Sequence, residues 1–268
     1  MTPVQAFFLG IVQGLTEFLP VSSSGHLTAL NILMDVERRM GLDFIIISHF
    51  GSLCAVFVVF RKDIAALFQV SLPETRKKLA LLFCATLPAV IAGFALKGPL
   101  DDVFENNPFI LSVIVIAGWL ITAATLIRIS RRKNGHTEIR NMSRSQSLII
   151  GLAQAIAIVP GISRSGMTVA AGIHLGLNRD NAARFSFLLS IPVILGATLL
   201  SLIKMLARET AAVDSGLNLC IGWAAAFASG YLAIRVFLRL IRKGAFAVFG
   251  YYCIIAAVAF GLIRWLYG

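Results

Sequence analysis

The feature that most constrains this chain is the length of its apolar stretches. Six segments, at roughly 44–60, 79–96, 108–127, 185–206, 216–238 and 244–266, are almost free of charge. Each runs to about the 20 residues a helix needs to cross a bilayer. Across 268 residues, 58% of the side chains are hydrophobic and 14% are charged, and mean hydropathy is +0.85. A soluble domain carries nearer a quarter charged residues, and one of this size could not bury so much apolar surface. Disordered chains, disulfide scaffolds and ordinary soluble enzymes are thereby excluded. Membrane β-barrels alternate polar and apolar residues along each strand, whereas these segments are apolar all round. The expected class is an all-α polytopic membrane protein.

Two further apolar stretches, 1–35 and 145–175, are interrupted near their middles by PVSSSGH (20–26) and PGISRSG (160–166). Each half is too short to cross alone, and the pattern predicts re-entrant helical hairpins, since irregular backbone at membrane depth must be covered by protein. Charge orders the topology. Regions 61–78, 128–144, 176–184 and 235–243 hold 17 of the 24 Lys and Arg and only four acids. The opposite set, 35–43, 97–107 and 204–215 with Arg264, holds six basic residues and eight acids. Placing the first set in the cytoplasm makes 145–175 re-enter and puts both termini outside. The net charge of +11 is thus read as topology, with anionic lipid contact open at Arg131-Arg132-Lys133, and nucleic acid is not an expected partner. No basic stretch precedes the first apolar run, so a cleaved signal peptide is not expected. Cys54, Cys84, Cys220 and Cys253 stand singly in apolar surroundings and read as small buried hydrophobes.

The broken segments echo each other. Gly10-Ile-Val-Gln13 precedes Pro20 and Ser24-Gly25; Gly151-Leu-Ala-Gln154 precedes Pro160 and Ser165-Gly166. Each is followed by three spans, an odd number, so the second copy is inverted. The expected organisation is one membrane domain over 1–268: repeat one at 1–127, a basic cytoplasmic linker at 128–144, and repeat two at 145–268. Inverted repeats with interrupted helices build sites near the bilayer midplane.

Glu17 is the sole acid within a membrane segment, and Arg164 the sole cation at either hairpin tip. An ionised group in hydrocarbon is costly and by default marks function. Gln13, one turn before Glu17, shares its helix face. Ser22, Ser23, Ser24 and His26 follow the first break, while Ser163, Ser165 and Gly166 surround Arg164. A carboxylate, an imidazole, hydroxyls and a guanidinium suit phosphoryl chemistry. Other readings stay open: Glu17 and Arg164 as a structural ion pair, the serines as helix caps, and His26 as a satisfied core residue. His49 and His174 have no acidic sequence neighbours and read as structural; His136 reads as solvated. Pro88 and Pro192 read as kinks.

GLTEFLPVSSSGH (14–26) resembles the N-terminal signature of bacterial undecaprenyl-diphosphate phosphatases of the bacitracin-resistance type, and PGISRSGMT (160–168) resembles their second signature. HFGSLCAVFVVFRKDI (49–64) and ARFSFLLSIPVILGA (183–197) are similar to that family too. The resemblance implies hydrolysis of undecaprenyl diphosphate, recycling the lipid carrier of cell-wall synthesis in the cytoplasmic membrane. It also implies a divalent cation (Mg²⁺ or Ca²⁺), and a site between two re-entrant hairpins that is open to the outer face. Carried over by position, Glu17 is the essential acid and metal ligand of an (E/Q)xxxE motif, Ser23 and His26 lie in the reactive centre, and Arg164 binds diphosphate. Gln13 stands where many members have Glu, which removes one carboxylate from the metal site. Ser23 or water is the nucleophile, helped by His26 or Glu17. Two rivals remain. SSSGH and Ser163-Arg164 faintly resemble the metal-independent lipid phosphatases of the phosphatidic-acid type, but the K-x6-RP run and a His six residues after Arg164 are missing. A flippase of a phosphorylated polyprenyl lipid would use the same architecture.

Overall fold

The computed structural model of the chain describes residues 1–34, 42–207 and 215–267, with side chains for 1–33, 43–96, 107–203 and 215–266. The described residues form α1 (Pro3–Phe18), α2 (Ser23–Met34), α3 (Leu42–Val59), α4 (Arg61–Leu67), α5 (Pro73–Asn106), α6 (Pro108–Ser130), α7 (Arg144–Ile156), α8 (Arg164–His174), α9 (Arg179–Ala207), α10 (Gly216–Arg242) and α11 (Phe246–Tyr267). A short 3₁₀ turn, Ile139–Asn141, and one isolated bridge between Thr137 and Leu177 occupy the linker before α7 and the turn before α9.

Among the described residues five helices are long and apolar enough to cross a bilayer: Pro73–Leu96, Pro108–Ser130, Arg179–Ile203, Gly216–Arg242 and Phe246–Leu266. The count reaches six if Asp43–Val59 and Arg61–Leu67, which meet at 83°, are one broken span. Only 28% to 44% of each span's most apolar window is buried inside the protein. Large apolar side chains such as Phe83, Ile91, Phe94, Phe109 and Ile255 therefore face outward, which in water would form a prohibitive patch. The chain is a multi-pass helical membrane protein. The helices overrun the apolar segments: α5 begins in the basic stretch 61–78, which also contains α4, and α9 begins at Arg179. The outer connections expected at 35–43 and 204–215 lie largely outside the described residues.

The interrupted segments form helix–break–helix units. At 16, 12, 13 and 11 residues, α1, α2, α7 and α8 are each shorter than the hydrocarbon core at about 1.5 Å per residue. Both units open with a reciprocal capping box, Thr2 with Gln5 and Ser143 with Gln146, which satisfies free helix-end donors. α1 stops before Pro20, and the chain turns through Ser22 at φ 70°. The second break turns at Gly161, φ 90°, where a side chain would strike Val115 O. Close helix contacts seat both units. A Cβ on Gly10 would lie 2.5 Å from Gly222 O on α10; one on Gly151 would lie 2.5 Å from Ala85 O on α5. Thus α1 packs on α10 and α3, α7 packs on α5 and α8, and α6 packs along α11.

The two tips meet on α6. Trp119 Nε1 donates to Val21 O (2.9 Å) in the first break, and Thr122 Oγ1 donates to Gly161 O (3.1 Å) in the second. Ser163 N–H donates back to Thr122 Oγ1 (3.0 Å). Ser165 Oγ donates across to Leu19 O (3.3 Å), joining the tips directly. At one end of the molecule an ion-pair chain ties four helices. Arg184 bridges Asp63 (3.0 Å) and Asp180 (2.7 Å), Arg242 joins Asp180 (2.8 Å) and Lys78 approaches Asp63 (3.8 Å). These groups are partly solvated, so each pair contributes little to stability.

Candidate active site

The last turn of α1 carries Glu17 toward both tips. Its Oε1 accepts from Arg164 Nη2 at 2.6 Å. Its Oε2 accepts from Ser23 Oγ at 2.7 Å and from Gln13 Nε2 at 3.1 Å. The Glu17 side chain is 9% exposed and that of Arg164 15%. A carboxylate so enclosed needs paired charge and donors to stay ionised, and the site supplies both. Ser23 and Arg164 are the first residues of α2 and α8, so both reach the site because the breaks restart a helix there. Ser163 Oγ caps α8 by accepting from Gly166 N–H (3.1 Å), which fixes the turn that aims Arg164. Ser22 does the same for α2, its Oγ accepting from Gly25 N–H (3.2 Å) and pairing with Ser24 Oγ (3.2 Å).

The structure therefore brings Gln13, Glu17, Ser23 and Arg164 into direct contact. Ser22, Ser163, Ser165 and Gly166 are buried around them as caps and tip contacts. His26 has other partners. Its Nδ1 lies 2.8 Å from Ser22 O and its Nε2 lies 2.8 Å from Tyr252 Oη on α11. A carbonyl only accepts, so Nδ1 carries the proton and Nε2 accepts from the Tyr252 hydroxyl. The ring stacks on Tyr252 (5.6 Å, 13°) and meets Trp119 edge-on (5.0 Å). Neither ring nitrogen engages Ser23, so the hydrogen bond on the Ser23 hydroxyl is to Glu17.

The sequence reading missed two residues here. His49, read as structural for want of an acidic neighbour, has its Nε2 3.9 Å from Glu17 Oε2; α3 packs on α1, and the acid comes from that helix. Tyr252 carried no sequence signal beyond being polar within a span. Glu17 and Arg164 do form the ion pair that was one open reading, and Ser23 donates into it.

For a divalent ion the donor set is small. Among the described residues no three of His, Cys, Asp and Glu cluster. Beside Glu17, however, Gln13 Oε1 is buried without a hydrogen-bond partner, a neutral oxygen left over at a charged site. One carboxylate with one amide oxygen fits a hard cation whose remaining ligands are phosphate oxygens and water, the usual manner of Mg²⁺.

A polytopic helical protein whose acid, hydroxyl and guanidinium converge from two broken helices belongs among the membrane proteins that build a charged site from interrupted helices. Comparison with known proteins places it more narrowly: the family described as "Bacitracin resistance protein BacA" matches residues 6–259, and the chain belongs to that family. It is 39% identical to an undecaprenyl-diphosphatase of Desulfosudis oleivorans, covering 99% of both chains. It is 37% identical to one of Methanosphaera stadtmanae (95% of both). A third, from Parabacteroides distasonis, is 38% identical over 96% of this chain and 97% of its own.

Proposed function

We propose that this protein hydrolyses undecaprenyl diphosphate to undecaprenyl phosphate and inorganic phosphate, returning the lipid carrier to cell-wall synthesis. Family membership and the names of the relatives support the reaction. The observation that carries the site is the short hydrogen bond from Ser23 to a carboxylate whose other oxygen is held by Arg164.

In this mechanism Ser23 Oγ attacks the terminal phosphorus as its proton passes to the Glu17 carboxylate. The bond from that phosphorus to the bridging oxygen breaks, and undecaprenyl phosphate leaves. Water then hydrolyses the phosphoserine. Direct attack by water, with Glu17 taking its proton and Ser23 holding phosphate, gives the same products. Arg164 offsets the charge that grows on the equatorial oxygens. His26, fixed by Ser22 O and Tyr252, orders the tip on which Ser23 sits. Gln13, Ser22, Ser24, Ser163, Ser165 and Gly166 line the diphosphate's place, the last three by aiming Arg164. A divalent cation (Mg²⁺ or Ca²⁺) would be held by Glu17 with Gln13 Oε1, and it supplies charge neutralisation to the diphosphate.

The same proposal includes six spans and two re-entrant hairpins in an inverted repeat, 1–127 and 145–268 about the linker 128–144. The site opens outward, and both termini face outside the cytoplasmic membrane. The exchanged packing, α1 on α10 and α7 on α5, supports it. That exchange is also a transporter architecture, so flipping of the phosphorylated lipid is the second reading; transport by a hydrolytically dead variant in liposomes would favour it.

Phosphate release from undecaprenyl diphosphate by the purified protein tests the assignment. Release is expected with Mg²⁺ or Ca²⁺ and is suppressed by chelator. Glu17→Gln should lose about 100-fold or more while still inserting. A Glu17→Gln variant at full rate would sink the site, and chelator-resistant release would remove the metal from it.

A further inference from the structure

His49 presents a ring nitrogen to a carboxylate oxygen from beyond hydrogen-bond reach. Its Nδ1 lies 2.8 Å from Ile45 O one turn back on α3. Since a carbonyl only accepts, Nδ1 holds a proton, and Nε2 is the ring nitrogen left free to ligate. Nε2 sits 3.9 Å from Glu17 Oε2. The donors that reach Oε2, Ser23 and Gln13, do not reach Nε2. The 3.9 Å separation is too long for a hydrogen bond and matches two ligands of one bridging ion, beside the buried, unpartnered Gln13 Oε1.

We infer that His49 Nε2 and Glu17 Oε2 are joint ligands of one divalent cation, an assignment that rests on the phosphatase reading for its place in the reaction. One ion at ordinary metal–oxygen and metal–nitrogen distances of about 2.0–2.6 Å bridges such a gap. The carboxylate is divided between charges: Oε1 belongs to Arg164, and Oε2 is the oxygen turned to α3. Gln13 has a further oxygen to give, since Oε1 is buried and unpartnered. The His49 side chain is 30% exposed, so coordination positions stay open to phosphate and water. The Nδ1–H bond to the Ile45 carbonyl is the kind of contact that orients a ligating imidazole. A nitrogen ligand makes the site discriminate: carboxylate and carbonyl oxygens alone suit Mg²⁺ and Ca²⁺, whereas imidazole favours first-row transition ions. The site should hold Mn²⁺ more tightly than Ca²⁺.

Purified protein in detergent, loaded with Mn²⁺ and free of substrate, tests this by pulsed electron paramagnetic resonance, with phosphate release followed in parallel. Wild type should show modulation from a directly bound imidazole nitrogen. His49→Gln should lose that modulation and bind Mn²⁺ at least tenfold more weakly, with His49→Ala as a second variant and monodispersity as the folding control. Calcium should displace Mn²⁺ only in large excess. Mn²⁺ bound without nitrogen modulation, modulation that survives in both variants, or no saturable Mn²⁺ binding would overturn the inference. Wild-type phosphate release alongside any of these would leave the phosphatase reading standing. Absence of release would count against that reading instead.

Discussion

At the scale of single residues, the site is an ion pair with a hydroxyl attached. Glu17 and Arg164 are each mostly buried and each satisfied by the other. Removing one partner of a buried pair strands the other charge and costs about 3–5 kcal/mol, more than the pair itself contributes. Arg164→Ala should therefore lower unfolding stability in detergent by that amount, and adding Glu17→Gln should restore most of it without restoring phosphate release. Strict additivity of the two stability losses would show that the pair is not coupled. Glu17 and Arg164 were legible in the sequence because an isolated charge in an apolar run stands out without knowledge of its neighbours. His49 and Tyr252 were not. What makes them matter is a contact with a residue 32 positions away in the first case and 226 in the second, and no local pattern encodes that.

At the scale of elements, the breaks place the candidate site. Pro20 and Pro160-Gly161 stop one helix, and Ser23 and Arg164 begin the next, so both side chains sit on first turns held by caps. The composition of PVSSSGH and PGISRSG made the breaks readable. The seating of the two broken units was not readable, because it depends on which neighbour offers a backbone close enough to require glycine. Gly151 is such a place, with Ala85 O at 2.5 Å from an added Cβ. Gly151→Leu should destabilise by about 1–3 kcal/mol or more, seen as a lower melting temperature in detergent. Gly196→Ala is the control: an added Cβ there meets nothing within 4 Å, so stability should hold or rise slightly. An unchanged melting temperature for Gly151→Leu would deny the close α7–α5 contact.

At the scale of the whole molecule, charge fixes orientation. The basic linker 128–144 carries six Lys and Arg, and cytoplasmic loops are where such an excess collects. A single cysteine replacing Lys133 in an otherwise cysteine-free background should resist an impermeant thiol reagent applied to intact cells and react after lysis. One replacing Thr2 should react from outside. Labelling of the linker from outside would reverse the proposed topology.

The sequence by itself determined that the chain lives in a bilayer, where its apolar helices lie, where two of them break, and which two charges must answer for themselves. These are matters of local composition, and hydrocarbon punishes polar groups wherever they fall. Only the tertiary structure decided that Ser23 donates to Glu17 rather than to His26, that His26 turns to Tyr252, and that His49 faces the carboxylate. Those outcomes rest on which helix faces meet, and that is set by packing among residues far apart along the chain.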